Sequence, residues 1–259
     1  LHLSIRRQRQ MCIRDRFRWG ALERQENVET PFGVGCTTSV SVEHWHAGSE
    51  KVLFLPRHGF KHSLPPHRIN YRANIWALKH LGVTQIVAVN AVGGITSTLK
   101  PGTFVVPDQL IDYTSDREMT FFDGLSENVN HVDFTEPYTE SLRALILRAA
   151  RDVNSKNDRP VSIVTKGCYA CTQGPRLETV AEIARLAADG CDIVGMTGMP
   201  EASLAREAEL DYACFAFVVN LAAGVGVGSI KLQELYEEVN KCRTFIAETL
   251  GRCVAQLNV

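Results

Sequence analysis

Charge imbalance and long apolar runs are both absent from this sequence. Its 28 Lys and Arg residues nearly balance 29 Asp and Glu residues, for a net charge of −1, so no general attraction to nucleic acid or to an anionic membrane is expected. No apolar run approaches the roughly 20 residues that a bilayer-spanning helix requires. Residues 17–259 also contain no linker, internal repeat or low-complexity segment. We therefore expect one globular domain, with neither nucleic acid nor a membrane as a partner.

Metal-binding motifs are scarce, although the chain has eight cysteines. Cys168 and Cys171 form a C-x-x-C pair, but a zinc site needs a second ligand pair, and no clear one occurs nearby. Cys191, Cys214 and Cys242 lie in apolar or helical segments, where a free cysteine behaves as a small hydrophobic residue. This usage favours reduced thiols in a cytoplasmic protein. A redox or metal role for the C-x-x-C pair is the alternative.

The first residues are unusual in composition. Six arginines and one aspartate fall within residues 1–18. A transit peptide and a nucleic-acid-binding arm both have this character. A third interpretation, which we favour, is that residues 1–16 are non-native or disordered and stand outside the fold. We assign the domain to residues 17–259.

The order of apolar segments predicts the fold. Short apolar runs alternate with longer amphipathic segments, which indicates a single-domain α/β protein. The near-continuous apolar run over 212–219 is typical of a strand buried on both faces. We expect a central mixed β-sheet flanked by helices, with strands at 52–55, 85–92, 103–106, 109–111, 162–165, 192–196 and 212–219, and helices at 69–81, 140–153, 178–188, 201–209 and 232–257.

Small or polar residues follow five of the apolar runs. In sheets of this class, ligands bind at the carboxyl ends of the strands. We therefore predict one shared pocket, formed by Arg57-His58-Gly59, residues 90–94, Gln173-Gly174-Pro175, Met196-Thr197-Gly198 and Asn220.

Three of these segments carry groups suited to an oxyanion. The guanidinium of Arg57 donates in a fixed fork that matches a doubly charged oxyanion. Thr197 offers a hydroxyl, and the turn at Ala91 offers a main-chain N–H, as glycine-rich turns do. Each feature alone has an ordinary explanation, such as a surface arginine beside His58 or a tightly packed Gly-Gly pair. Together they predict a phosphate site.

Six longer motifs carry a resemblance to a known family. The segments F-L-P-R-H-G, I-N-Y-R-A-N-I-W-A-L-K, V-N-A-V-G-G, D-Q-L-I-D-Y-T, T-Q-G-P-R-L-E-T and D-I-V-G-M-T-G-M-P-E resemble those of the trimeric purine nucleoside phosphorylase and methylthioadenosine phosphorylase family. The resemblance runs from about Glu29 to the C-terminus. It implies a homotrimer that binds a small-molecule nucleoside and uses inorganic phosphate as co-substrate, with no metal or organic cofactor.

The resemblance also implies roles for individual residues. The phosphate ligands would be Arg57, His58, Asn90, Ala91 and Thr197. Met196 would lie against the ribose, and the apolar walls around the purine would be Val92, Gly93, Leu177 and Val194. His131 would reach into the site of a neighbouring subunit, so that activity depends on the trimer. The expected catalytic residues are Asn220 and His58.

Two positions are expected to select the base. A 6-oxopurine presents N1–H as a donor and O6 as an acceptor, so Glu178 can accept from N1–H, and Asn220 can donate to O6 and complement N7. Adenosine-type relatives carry aspartate in place of Asn220 and another acid two residues on, where this chain has Ala222. A mispaired buried polar group costs about 1–3 kcal/mol, so the pattern favours 6-oxopurines. The alternative for Glu178 is that it is the first-turn acid of its helix.

An apolar lining is expected around the 5' position of the sugar. Leu232 falls where relatives that accept unmodified ribose place a histidine, and Leu235 and Tyr236 follow one helical turn later. Such a lining favours a methylthio group, because each buried CH₂-sized group contributes about 0.8 kcal/mol. The alternative is that these residues form the core stripe of the last helix.

The expected reaction is phosphorolysis of S-methyl-5'-thioinosine to hypoxanthine and 5-methylthioribose 1-phosphate. The alternatives are methylthioadenosine, inosine or guanosine as substrate, hydrolysis in place of phosphorolysis, and ligand binding without catalysis. Members of the family begin with a glycine-rich G-G-[ST]-G loop that also binds phosphate, and here the Arg-rich stretch before Phe17 stands in its place. The chain as written is therefore expected to lack one sheet strand and one phosphate ligand.

Overall fold

The computed structural model describes residues 22–34, 37–47, 50–59, 62–123 and 129–256. The Arg-rich segment 1–16 and the place expected for the glycine-rich loop lie outside these residues. Within them the strands are β1 (Leu22–Val34), β2 (Thr37–Ala47), β3 (Glu50–Phe54), β4 (Gln85–Gly94), β5 (Phe104–Val105), β6 (Gln109–Asp112), β7 (Ile163–Val164), β8 (Cys168–Cys171), β9 (Ile193–Gly195) and β10 (Asp211–Leu221). The α-helices are α1 (Tyr71–His80), α2 (Glu140–Asn154), α3 (Val180–Ala188), α4 (Glu201–Glu207) and α5 (Leu232–Gln256).

Among the described residues, seven strands form the central sheet, in the order β6-β8-β9-β4-β10-β5-β7. The sheet is mixed, because β4 runs parallel to β10 and antiparallel to β9. At its centre, β4 and β10 pair from Gln85 opposite Asp211 to Gly94 opposite Leu221. The longest ladder of the sheet therefore lies between its two central strands.

Helices cover both faces of this sheet, and the alternation along β10 shows why. Tyr212, Cys214, Ala216 and Val218 pack in one apolar cluster with residues of α1 and α4. The intervening Ala213, Phe215, Phe217 and Val219 pack in a second cluster with residues of α2 and α5. Successive strand side chains point to opposite faces, so an uninterrupted apolar run is what a strand between two helical layers requires. The predicted single-domain α/β fold, with a mixed sheet flanked by helices, is confirmed. None of the helices in the described ranges is long and apolar enough to cross a bilayer.

A separate three-stranded sheet precedes the central one, in the order β1-β2-β3. It packs on α1 through Val28, Leu53 and Ala73. The prediction that Arg57 and His58 follow a strand of the same sheet as the rest of the site is therefore wrong. The apolar run before Arg57 gave no information on its partner, and β3 pairs with β2 instead.

Strands β4 and β10 are longer than their apolar patterns predicted. The predictions ended them at Val92 and Val219, but the two strands stay paired to Gly94 and Leu221. The turn predicted at Ala91, before Gly93-Gly94, is therefore part of a strand, since β10 pairs with β4 along this stretch and β9 pairs with it at Gly93 and Gly94. The register shifts just before Asn220, which lies opposite Gly93. Such an irregularity re-aims a side chain, and it often occurs next to an active site.

Candidate active site

Arg57 reaches the rim of the central sheet from the turn after β3. Its Nη1 donates to the carbonyl of Val89 at 3.1 Å, and its Nη2 donates to Glu201 Oε1 at 3.0 Å. Glu201 is the first residue of α4 and is buried. Burial is the largest single influence and opposes the charged form of Arg57, but the charge and hydrogen bond of Glu201, together with Tyr212 and Tyr71, outweigh it and raise the pKa of the guanidinium. A permanent positive charge is thus held beside the strand position that precedes Asn90.

His58 is held as a neutral ring with a defined tautomer. Its Nδ1 lies 2.9 Å from the carbonyl oxygen of Leu64, and a carbonyl only accepts, so Nδ1 carries the proton. Burial lowers the pKa of His58 to about 4, and the neighbouring His62 and Arg57 act in the same direction. At neutral pH the remaining nitrogen, Nε2, is an acceptor. His58 can therefore accept a hydrogen bond from a protonated phosphate oxygen, but it adds no charge to the site.

Asn90 and Thr197 form a buried pair between β4 and the loop after β9. Asn90 Nδ2 donates to Thr197 Oγ1 at 2.8 Å, and Cys214 Sγ lies 3.6 Å from Asn90 Oδ1. Because the threonine oxygen accepts from the amide, its own hydroxyl proton stays available. Asn90 thus orients Thr197 as a donor to an anion.

Ala91 does not lie in a turn. It is a β4 residue opposite Phe217 of β10, and its side chain is exposed. Any contact with phosphate at this position would come from the edge of a strand and not from a glycine-rich loop.

Four residues expected around the purine meet at Gly93. A Cβ atom added there would lie 3.1 Å from Val194 Cγ1, 3.6 Å from Asn220 Nδ2 and 3.7 Å from Ala222 Cα. The missing side chain therefore leaves a small space bounded by those three residues. Val92, in contrast, packs in the core, so only its main chain can border a ligand.

Asn220 and Glu178 each keep hydrogen-bonding capacity. Asn220 Nδ2 donates one hydrogen to the carbonyl of Leu221 at 2.8 Å, which leaves its second N–H and its oxygen. Glu178 Oε1 accepts from the Thr172 hydroxyl at 2.6 Å, which leaves Oε2. Together the two residues offer one donor, the second N–H of Asn220, and two acceptors, the Asn220 oxygen and Glu178 Oε2. This set includes the donor and the acceptor that a 6-oxopurine edge requires.

Glu178 is not the first-turn acid of α3. The helix begins after Thr179, whose side chain accepts from the Glu182 N–H while Glu182 bonds the Thr179 N–H in return. This capping box satisfies the helix start without Glu178. The alternative explanation for Glu178 is therefore wrong.

Met196 lies under the turn at Gly174. A Cβ at Gly174 would come 2.5 Å from Met196 Sδ, and Gly174 has a φ of +62°. Glycine is required at this position both by the backbone conformation and by the closeness of the methionine. Leu177, three residues later, is exposed.

The residues expected around the 5' position are dispersed. Leu232 begins α5 and is 60% exposed, Tyr236 is half-buried, and Leu235 packs against the cluster under α2 and α5. His131 is exposed in a segment that Arg206 fastens by donating to the carbonyl of Asp133 at 2.6 Å. Leu235 thus matches the alternative of a core stripe.

One buried residue near the site was missed by the sequence reasoning. Arg117, in the segment after β6, donates to acceptors in the loops that carry Thr172 and Met196. No residue type around it signals this arrangement, because its partners are mostly main-chain carbonyls. Two surface clefts, of about 720 and 850 Å³, contain none of the predicted site residues. Within the part of the chain that the structure describes, no three His, Cys, Asp or Glu side chains form a metal-binding group.

Comparison of the sequence with known proteins identifies its relatives. The chain matches the family model of the phosphorylase superfamily over residues 17–255. It is 50% identical over 229 residues to a Pseudomonas syringae protein named "Probable S-methyl-5'-thioinosine phosphorylase", covering 88% of this chain and 89% of that protein. It is 46% identical over 224 residues to the "6-oxopurine nucleoside phosphorylase" of Pyrococcus furiosus, covering 85% and 80%.

The fold has counterparts among solved structures. A variant of adenosine/methylthioadenosine phosphorylase from Schistosoma mansoni, in complex with methylthioadenosine, matches with a TM-score of 0.86 and 34% identity, covering 94% of this chain and 88% of that chain. The family, the relatives and the fold agree on the class of enzyme. The chain therefore belongs to the phosphorylase superfamily and is a pentosyltransferase of the nucleoside phosphorylase type.

Proposed function

We propose that this chain catalyses phosphorolysis of S-methyl-5'-thioinosine, releasing hypoxanthine and 5-methylthioribose 1-phosphate. One observation carries the proposal: the same two neighbouring strands support both pockets. Asn90 and Gly93 lie three residues apart on β4, and their contacts Thr197 and Val194 lie three residues apart at the end of β9. At about 3.3 Å per residue along a strand, the main-chain positions of Asn90 and Gly93 are about 10 Å apart along β4, which leaves room for a ribose between groups bound at the two positions.

Phosphate binding would rest on three kinds of group. Arg57 supplies a fixed positive charge, Thr197 a hydroxyl donor oriented by Asn90, and His58 an acceptor for the one proton of hydrogenphosphate. Ala91 would add its main-chain N–H. This set favours hydrogenphosphate over water as the nucleophile and therefore phosphorolysis over hydrolysis.

The bond changes balance without a cofactor. The C1'–N9 bond breaks with its electron pair leaving on the purine, and a phosphate oxygen forms the new bond to C1'. The proton of hydrogenphosphate is transferred to the departing purine and neutralises its negative charge. Asn220 would stabilise the departing purine at O6 and N7, because a preorganised donor acts where the negative charge develops. No residue serves as a covalent nucleophile, and we propose no metal or organic cofactor.

Selectivity for the base would depend on the free groups of Glu178 and Asn220. The carboxylate accepts from N1–H, and the amide donates to O6. The names of the P. syringae and P. furiosus relatives, which carry a thioinosine and a 6-oxopurine, support this assignment. The S. mansoni enzyme in complex with methylthioadenosine motivates adenine as the second candidate.

Assembly and compartment complete the proposal. We propose a homotrimer in the cytoplasm. The exposure of His131 and Leu232 supports a site whose 5' side is finished by a neighbouring subunit, because one chain alone leaves both side chains in solvent.

Product analysis tests the function directly. Hypoxanthine release from methylthioinosine and from inosine is measured beside adenine release from methylthioadenosine, each with and without phosphate. We expect phosphate-dependent hypoxanthine release, faster from methylthioinosine than from inosine, and at least about tenfold less adenine release. Release that ignores phosphate would indicate hydrolysis. Substrate binding without release of base would indicate a binding protein, and either result contradicts the proposal.

A further inference from the structure

Arg117 is a buried cation that bonds to an unusual set of acceptors. Its side chain is 9% exposed, and its guanidinium lies over the ring of Tyr71 at 5.4 Å from the centroid. Within the described residues, none of its polar partners is a carboxylate. Its charge is balanced by dipoles alone, which requires many of them at good geometry.

Six acceptor atoms surround this guanidinium, and they come from three separate parts of the chain. Nε donates to Gln173 Oε1 at 3.1 Å, and Nη2 reaches the carbonyls of Gln173 at 3.0 Å and Thr172 at 3.4 Å. Nη1 reaches the carbonyls of Met196 at 3.0 Å and Met199 at 2.5 Å, and Tyr71 Oη at 3.2 Å. The loops after β8 and β9 are thus fastened to one side chain.

Both loops carry substrate residues of the proposed site. Thr172 bonds Glu178 through its hydroxyl, and Met196 is followed by Thr197, the hydroxyl that Asn90 orients. Gln173 extends the connection, because its Nε2 donates to the carbonyl of Ser115 at 2.8 Å. The two loops also bond directly, since Thr172 N–H donates to the carbonyl of Gly195 at 2.8 Å. The Arg117 fork adds a side-chain connection between the base-reading carboxylate and the phosphate-binding hydroxyl.

We infer that Arg117 is a positioning residue that couples the base pocket to the phosphate pocket. It touches no reacting atom, and its effect passes through the backbone at residues 172–173 and 196–199. Arginine is specified because its planar fork holds donors in fixed directions, whereas the flexible ammonium of lysine cannot span the same acceptors. The inference rests on the proposed function for its effect on turnover, but the placement of the two loops can be tested separately.

Arg143 provides a matched control elsewhere in the fold. It is 4% exposed and also bonds main-chain carbonyls, those of Pro107 at 2.9 Å, Val106 at 3.2 Å and Thr165 at 2.6 Å. Unlike Arg117 it also pairs with a carboxylate, that of the exposed Glu140. None of these residues belongs to the proposed site. Loss of Arg143 therefore reports the general effect of removing a buried arginine.

The first experiment compares turnover in Arg117→Met, Arg117→Lys and Arg143→Met. The assays are run well below the unfolding temperature of each variant, with methylthioinosine and phosphate varied in turn. We expect kcat/KM to fall by about tenfold to a hundredfold in both Arg117 variants, because misplacement by about 1 Å has effects of this size. The Arg143 variant should stay within about twofold of the parent. Equal losses at the two positions would overturn the inference.

The second experiment needs no turnover. Amide hydrogen exchange is measured in peptides covering residues 172–178 and 196–199. We expect faster exchange in both peptides for Arg117→Met and Arg117→Lys, and parental exchange for Arg143→Met. Unchanged exchange in either peptide would overturn the coupling, even if the parent chain released no hypoxanthine. Inactivity of the parent would instead count against the proposed function alone, so the two failures are distinguishable.

Discussion

Several residues expected to hold phosphate and purine contact one another at paired strand ends, whereas those expected at the 5' end of the sugar are dispersed. Asn90 bonds Thr197, and Gly93 faces Asn220. Leu232 and His131 remain exposed in the single chain. Strand pairing brings the first group together within one chain, whereas no contact within the described residues brings the second group together. Under the proposed function, base and phosphate recognition would therefore rest on strand pairing within one chain, and recognition of the 5' substituent would rest on a neighbouring subunit.

The largest effect is expected from breaking the buried ion pair between Arg57 and Glu201. Arg57→Met leaves the Glu201 carboxylate buried without its cation, so the free energy of unfolding should fall by about 3–5 kcal/mol. Chemical denaturation measures this change. The double variant Arg57→Met/Glu201→Gln removes both charges and should regain most of the lost stability. Equal instability of the single and double variants would show that the pair is not coupled.

A smaller effect is expected from replacing one hydrogen-bond donor of the base pocket by an acceptor. Asn220→Asp replaces the donor to O6 with an acceptor, so kcat/KM for methylthioinosine should fall by about tenfold to a hundredfold, equivalent to 1–3 kcal/mol. Hypoxanthine release measures it. Gln at position 233, an exposed helical residue, offers a matched amide control, and Gln233→Glu should leave the rate unchanged. A parental rate in Asn220→Asp would remove Asn220 from the mechanism.

The pH dependence of stability tests the neutral state of His58. Its folded pKa, about 4, lies below the unfolded value of about 6.5. The neutral ring therefore contributes stability that is fully present above pH 6.5 and is lost as the pH falls through about 4. Between those values the parent should lose up to about 1.4 kcal/mol per pH unit relative to His58→Gln. Parallel stability curves for the two proteins from pH 7 to pH 4 would contradict the assignment.

The smallest effect is expected from changing a residue predicted to surround the 5' position of the sugar. Leu232→Ala should lower kcat/KM for methylthioinosine by about fourfold, the value of one buried CH₂-sized group, and leave inosine unaffected. Hypoxanthine release from inosine by the same variant is the control, because inosine carries no methylthio group. If Leu232→Ala affected both substrates equally, the dispersed residues would have no role in reading the methylthio group.

The segments that form the central sheet and its phosphate and purine residues were predicted well from the sequence, and the reason is physical. Apolar runs and the polar residues that follow them report burial, so the site segments at Asn90, Thr197 and Asn220 could be identified along the chain. Burial patterns do not report pairing partners. This is why β3 was expected in the central sheet, and why Ala91 was expected in a turn before Gly93-Gly94.

Two features required three-dimensional structure. Arg117 bonds mainly main-chain carbonyls, and such acceptors leave no signature in residue types. Leu235 and Leu232 have the same apolar character, yet one packs in the core and the other faces solvent. The helical pattern alone could not separate them, because it does not show where the helix passes beyond the sheet.

A crystal structure of the chain with phosphate and hypoxanthine would test the central claim most directly. We predict one continuous cavity, with the anion between Arg57 and Thr197, and the base between Glu178 and Asn220, separated by the width of a ribose. Electron density for the two ligands in unconnected cavities, or hypoxanthine bound away from Asn220, would contradict the account.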